Sequence, residues 1–270
     1  MLVEASATRF MEPLGTGRNK PALISAIDAR GGSVDLVIKH SAGNIELGVE
    51  GLIAEGLAGL LACDLGLPIP QPYIIRLTPE FIASIQASTP TYAALFRNSC
   101  SIAYGSCYLK GYRVVSQAWQ PPAAMLEQIA EIAAFDAIVQ NPDRLPKNPN
   151  CLQSGKRIAI IDHELAFTHI KHHIFGWQPP WKVGGLSELL SPAKYLFGTA
   201  LRNVNPNFVR FRNAWTRITD ERLNGYLRHL PPEWIADGRA DYAGKITDYM
   251  REARNQMDSC LLEVKRAIGG

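Results

Sequence analysis

Two short runs of aliphatic and β-branched residues, at positions 22–27 and 34–38, are joined by Arg30-Gly31-Gly32-Ser33, and the pattern predicts a hairpin of antiparallel strands. From 46 to 65 the spacing lengthens. Leu47, Leu52, Leu57, Leu60 and Leu61 fall at helical intervals, and Gly66 with Pro68 just beyond supplies a stop. Pro70 and Gln71 then lead into a further predicted strand over 73–77. The regime changes near 117–123. Beyond it, Ile129, Ile132, Ala133, Ala137 and Val139 give the segment 125–139 a broad apolar helical face that ends at Asn141-Pro142. A polar loop follows. Two β-like pieces, 150–153 and 157–161, flank Ser154-Gly155 as a small hairpin, and residues 186–268 read as helical with breaks at Asn205-Pro206 and Pro231-Pro232. An antiparallel sheet with one helix, followed by a mostly helical half, predicts an α+β bilobal fold with lobes at 1–117 and 118–270.

Composition narrows this picture. With 47% hydrophobic and 20% charged residues in 270, the chain can bury a sizeable core and does not read as disordered. Its formal charge of +3 gives no ground for a nucleic-acid or membrane partner, so any anionic ligand has to be held locally. The five cysteines (Cys63, Cys100, Cys107, Cys151 and Cys260) are scattered, without a CxxC pair or zinc-type spacing, and read as reduced thiols. Acidic and polar residues in the first ten positions do not fit a signal peptide, and the longest apolar stretch, 57–63, is too short for a membrane span. The expected location is cytoplasmic.

The most informative chemistry lies in the loop Asn141-Pro142-Asp143-Arg144-Leu145-Pro146-Lys147-Asn148-Pro149-Asn150, where an Asp is followed by an Asn five positions on. Phosphoryl transfer needs a carboxylate to orient the attacking hydroxyl and a neutral amide oxygen to complete the coordination of Mg²⁺. Asp143 and Asn148 suit those tasks. A second carboxylate, Asp162 in Ile160-Ile161-Asp162-His163, stands directly after an apolar strand, where it is fixed rigidly enough to hold metal against a nucleotide. Upstream, Lys39 closes the apolar run Leu36-Val37-Ile38 and is placed to reach phosphates from a sheet. Glu55 in the intervening helix can pair with it, with Glu50 as the alternative. The turn containing Gly15, Thr16 and Gly17 precedes that strand and can fold over phosphates with its backbone amides.

With these residues in view, the chain resembles the HipA-like kinases, a branch of the protein-kinase-like fold. The resemblance runs through roughly the first 170 residues. It rests on positions 15–21, Lys39, the stretch from Glu55 to Gly66-Leu67-Pro68-Ile69-Pro70, Tyr104-Gly105-Ser106-Cys107-Tyr108-Leu109, the 141–150 loop and Ile161-Asp162-His163. It implies ATP and Mg²⁺ as cofactors, Lys39 on the phosphates, Glu55 paired with that lysine, Asp143 as the catalytic Asp, and Asn148 and Asp162 as metal ligands. The acceptor it implies is a Ser or Thr of a protein, the chain itself included, and it leaves room for an antitoxin-like or other protein partner. The sequence departs from ordinary protein kinases in having His163-Glu164 after Asp162 and Asn141-Pro142 before Asp143.

Other residues have blander readings. His163, His169, His172 and His173 crowd after Asp162, but an adjacent His pair faces opposite ways on most backbones, and local hydrogen bonding or substrate contact is expected rather than transition-metal binding. Trp177 and Trp181 bracket Gln178-Pro179-Pro180 and are expected to pack a loop on the helical lobe, the alternative being an exposed pair that forms a docking surface for a partner. Asp136, inside the helix, reads as a structural hydrogen-bonding residue, and Ser99, Ser101 and Ser106 show no spacing that singles out one of them. Two other functions share these features: a small-molecule or lipid kinase on the same fold, and a catalytically silent nucleotide-binding scaffold.

Overall fold

The computed structural model describes residues 2–15, 20–43, 48–172 and 176–269, which divide into two units built from interleaved stretches of chain. The first comprises Met1–Leu60, Pro70–Lys110 and Tyr226–Ala243. Its centre is a closed barrel of five strands in the order β1-β2-β3-β5-β4, with β1 at Val3–Pro13, β2 at Ala22–Asp28, β3 at Ser33–Lys39, β4 at Pro72–Arg76 and β5 at Ile102–Cys107. The predicted hairpin is β2–β3, paired from Ala22↔Ile38 to Ile27↔Ser33. Asp28 fixes its turn by accepting from the amides of Arg30 and Gly32, both at 2.9 Å.

The barrel refines the predicted antiparallel sheet, because β1 closes it against β4 in parallel, Val3↔Tyr73 through Ser6↔Arg76. The buried residues of β1 are Ala5 and Ala7, with Val3 and Phe10 packed against the core on either side of them, too sparse a pattern to mark the strand by hydrophobicity. Ile24, Leu36, Ile38, Ile75 and Ala103 fill the interior and are wholly buried, each Ile or Leu contributing about 1.5–3 kcal/mol relative to exposure. A Cβ at Gly105 would fall 2.1 Å from Ile75 Cδ1, so any larger residue there requires the Ile75 side chain to move.

Helix α1 (Gly48–Asp64) is the helix predicted over 46–65; positions 46 and 47 lie outside the described residues. It is buried all round from 51 to 62, as expected of a helix without a polar face. Two further short helices, α2 (Pro79–Ser84) and α3 (Pro90–Arg97), follow β4 where the sequence pattern predicted none. Each starts with Pro in its first turn, and Thr78 caps α2 by accepting from Phe81 N. Their Phe81, Ile85, Tyr92 and Phe96 join the barrel core. Trp234, from the late stretch of this unit, donates its indole N–H to Ile102 O at 3.0 Å and packs beside Gly56.

The second unit comprises Leu61–Ile69, Gly111–Gly225 and Gly244–Gly270. Its central helix α4 (Leu126–Val139) is buried from Ile129 onward. It stops because Gln140 takes the left-handed conformation, φ 55°, directly before Asn141-Pro142. A sheet in the order β6-β7-β8 follows, with β6 at Arg113–Val114, β7 at Cys151–Ser154 and β8 at Arg157–Ile160. The last two are the predicted hairpin. The C-terminal helix Met257–Gly269 packs on α4, and Arg210 and Arg222 tie the 61–69 stretch in by bonding Leu65 O and the Asp64 carboxylate.

Residues 186–197 are turns rather than the helix predicted from 186 onward. Pro192 has no amide hydrogen to donate, and Gly198 folds back so closely that a Cβ on it would lie 2.6 Å from Pro192 Cα. Among the described residues no helix is long and apolar enough to cross a membrane.

Candidate functional site

The 141–150 loop begins where α4 stops. Asn141 turns the chain by accepting from Asp143 N at 3.2 Å, an Asx turn suited to the residue after a left-handed cap. Leu145 and Asn148 then pair backbone to backbone, with Leu145 N on Asn148 O at 3.0 Å and Asn148 N on Leu145 O at 3.1 Å. That pairing doubles the loop back and brings Asn148 to Asp143. Asn148 Nδ2 donates to Asp143 Oδ2 at 2.8 Å, and Asn150 Nδ2 donates to the same oxygen at 2.9 Å.

Two amide donors on one oxygen fix the rotamer of the Asp143 carboxylate. They also fix the Asn148 amide so that its Oδ1 faces away, with no hydrogen bond to any described residue. The pKa of Asp143 is raised, first by burial and secondarily by the negative charge of Asp162, while the bonds from Asn148 and Asn150 and the charge of Arg144 pull it back. Asp162 itself follows β8 with φ 64°, and the adjacent amide of Ile161 donates to Asn150 O at 3.0 Å. Loop and strand end are therefore stitched together, and the structure brings Asp143, Asn148 and Asp162 into one neighbourhood of the second unit.

The sequence did not single out Arg144 or Asn150 as site residues, and it read Asp136 as structural. Arg144 is fully buried and forms an ion pair with Asp136, Nε to Oδ2 at 2.6 Å and Nη2 to Oδ1 at 2.9 Å. Its Nη1 donates to Asn150 O, and its Nη2 lies 3.2 Å from His163 Nε2. The one signal available beforehand was adjacency: Arg144 follows the candidate Asp directly, and a buried arginine requires a carboxylate.

In the first unit, Lys39 ends β3 and Glu55 lies midway along α1. Their side chains meet at 2.7 Å, with Lys39 14% and Glu55 3% exposed. A carboxylate in an otherwise apolar buried stretch has to be paired, and Lys39 pairs it. Glu50 is only half-buried in the first turn of α1 and sits about 140° around the helix from Glu55. Gly15 takes φ 66°, and below it Leu14 N donates to Pro21 O at 2.9 Å, closing the base of the turn. Thr16 and Gly17 lie outside the described residues, as does His173.

His169 stacks on Trp177 with ring centroids 4.4 Å apart and meets Tyr249 edge-on at 4.5 Å. Among the described residues neither of its buried nitrogens has a hydrogen-bond partner, and burial lowers its pKa to about 4. Trp177 donates its indole N–H to Gln140 Oε1 at 2.9 Å, and Trp181 packs near Tyr249 at 5.7 Å. These tryptophans pack the loop onto the second unit as expected.

A β-rich unit with a paired lysine, and a helical unit with an Asp–Asn loop and a strand-end Asp, define a kinase-like protein. Residues 37–179 match the model of the HipA-like kinase family. This is more than half of the chain, and the protein belongs to that family, a class of phosphotransferases. Among solved structures, the chain is similar to CtkA, a proinflammatory kinase of Helicobacter pylori, with a TM-score of 0.55, 10% identity and 98% of each chain covered. This likeness is one of fold. A weaker likeness, with a TM-score of 0.33 and 13% identity, covers 97% of this chain and 12% of CtTel1 in its open conformation. No curated protein matches the sequence.

Proposed function

We propose that the protein transfers the γ-phosphoryl group of ATP to a Ser or Thr hydroxyl of a protein, with Asp143 as the catalytic residue. The observation that carries this reading is the double amide clamp on Asp143 Oδ2 from Asn148 and Asn150. It leaves the other carboxylate oxygen, Oδ1, to meet an incoming hydroxyl.

The donor set also suits Mg²⁺. Asn148 Oδ1 and the Asp162 carboxylate are hard oxygen ligands, the type that ion prefers, and Asn148 Oδ1 has no competing donor among the described residues. These two residues would hold the ion, which when bound supplies charge neutralisation on the phosphates. Lys39 adds a second positive charge, oriented by Glu55 at 2.7 Å. The turn at Gly15, Thr16 and Gly17 is assigned to the phosphates on the sequence reading alone.

In the transfer, the acceptor oxygen forms a bond to the γ-phosphorus as the bridging P–O bond breaks and ADP leaves. The hydroxyl proton passes to Asp143. Because the transition state is loose, positioning and charge neutralisation supply most of the acceleration, which fits a site whose visible investment is in fixed rotamers. The acceptor class is tested by incubating the protein with labelled ATP, Mg²⁺ and a panel of protein, lipid and sugar acceptors, followed by phosphoamino-acid analysis. Label in phosphoserine or phosphothreonine is expected. Label confined to lipid or sugar would overturn the protein-kinase reading.

A further inference from the structure

We propose that Tyr195 is a positioning residue for phosphoryl transfer, acting through Asp136 and Arg144 on the carboxylate of Asp143. The inference rests on the reading of Asp143 given above and concerns a residue beyond the 37–179 stretch that matches the family.

The Arg144 guanidinium has five N–H donors in a fixed planar fork, and the structure supplies acceptors all round it. Asp136 takes two of the bonds, Asn150 O and, at 3.5 Å, Ile161 O face Nη1, and His163 Nε2 faces Nη2. Arg144 thus touches the residue that clamps Asp143 and both sequence neighbours of Asp162. Its backbone carries Asp143. A charge this deeply buried cannot drift without losing its counter-ion, so the orientation of Arg144 is set by Asp136.

Asp136 is in turn held from the far side. Tyr195 Oη donates to Asp136 Oδ2 at 2.8 Å, the oxygen that also accepts from Arg144 Nε. Tyr195, Asp136 and Arg144 are each no more than 2% exposed, so water does not replace a lost bond. A second link runs in parallel, since Leu196 N donates to Arg144 O at 3.0 Å. The turn that presents Tyr195 is fixed by the close approach of Gly198 to Pro192 and by Tyr195 N bonding Ser191 O at 3.0 Å. The 191–198 turn therefore holds the candidate catalytic loop by side chain and by backbone. Tyr195 touches neither Asp143 nor any reacting atom, which makes it a positioning residue and not a catalytic one.

The test compares the full-length wild type with Tyr195→Phe, Arg144→Lys and Asp143→Ala. Tyr195→Phe removes only the hydroxyl and keeps the ring, so the fold is retained. Two readouts are taken, hydrogen exchange of the amides of Leu145, Asn148 and Ile161 and steady-state ATP kinetics. With Tyr195→Phe, exchange at those amides is expected to rise about tenfold while α4 keeps its protection. kcat is expected to fall about tenfold with KM for ATP unchanged. Arg144→Lys should give a larger loss of the same kind, since an ammonium cannot reproduce the fork. Unaltered loop exchange together with wild-type kcat in Tyr195→Phe would overturn the proposal, as would a uniform loss of protection across the second unit. Wild-type protein that binds ATP but turns nothing over would instead sink the function reading, and the exchange comparison would still decide whether Tyr195 holds the loop.

Discussion

Asn148 Nδ2 lies 2.8 Å from Asp143 Oδ2, so one amide both orients the candidate catalytic carboxylate and leaves its own oxygen with no donor on it among the described residues. Replacing Asn148 by Ala removes both effects. Turnover is expected to fall on the order of 100-fold, and the Mg²⁺ concentration for half-maximal rate to rise. Asn148→Ala with wild-type Mg²⁺ dependence would show that the oxygen holds no metal.

Lys39 and Glu55 form a pair that is almost closed to solvent. Glu55→Ala removes the buried carboxylate that orients the ammonium and is expected to lower stability measurably in urea denaturation. Lys39→Ala is expected to raise KM for ATP roughly tenfold or more, unlike Asp143→Ala, which should leave nucleotide binding largely intact. Equal nucleotide affinity in wild type and Lys39→Ala would remove the lysine from the phosphates.

His169 gives the protein a dependence on acid. The unfolded chain takes up a proton on this residue near pH 6.5, while the folded protein resists until about pH 4, so stability falls as pH drops through that window. Above pH 6.5 His169 contributes no pH dependence. His169→Phe, which preserves a ring against Trp177 and Tyr249, should flatten the curve of Tm against pH between 6.5 and 4. Parallel curves for wild type and variant would contradict this.

Gly105 on β5 pairs with Tyr73 of β4 and lies diagonally across from Ile75, the partner of Ala103. A Cβ at 105 meets Ile75 Cδ1 at 2.1 Å and Cγ1 at 3.0 Å, so Gly105→Ala is expected to destabilise by about 1–3 kcal/mol. Adding Ile75→Val deletes the nearer atom and should restore part of that loss. A double-mutant cycle with no coupling would mean the barrel shifts to make room.

Much of this was legible in the sequence where a strong period coincided with strong punctuation. Helix α4 ended at Asn141-Pro142 and the β2–β3 hairpin turned at Gly31-Gly32, as the pattern implied. Strand β1 was not legible, because its buried residues are alanines and its register slips between Ala7 and Arg9 and again between Phe10 and Glu12, which breaks the alternation. The 191–198 turn was missed because a single proline inside a helix-compatible composition does not reveal that Gly198 packs on it. At the candidate site, the interval from Asp143 to Asn148 and on to Asp162 could be read from spacing. The Tyr195–Asp136–Arg144 network could not, since Tyr195 stands 59 positions from Asp136 and nothing local marks the two as partners.

The most direct measurement is incubation of purified protein with γ-labelled ATP and Mg²⁺, alongside Asp143→Ala and Asp162→Ala, scoring label on protein and released phosphate. The account predicts label in the wild type and none in either variant, with nucleotide still bound by Asp143→Ala. Label that persists in Asp143→Ala would contradict the central assignment.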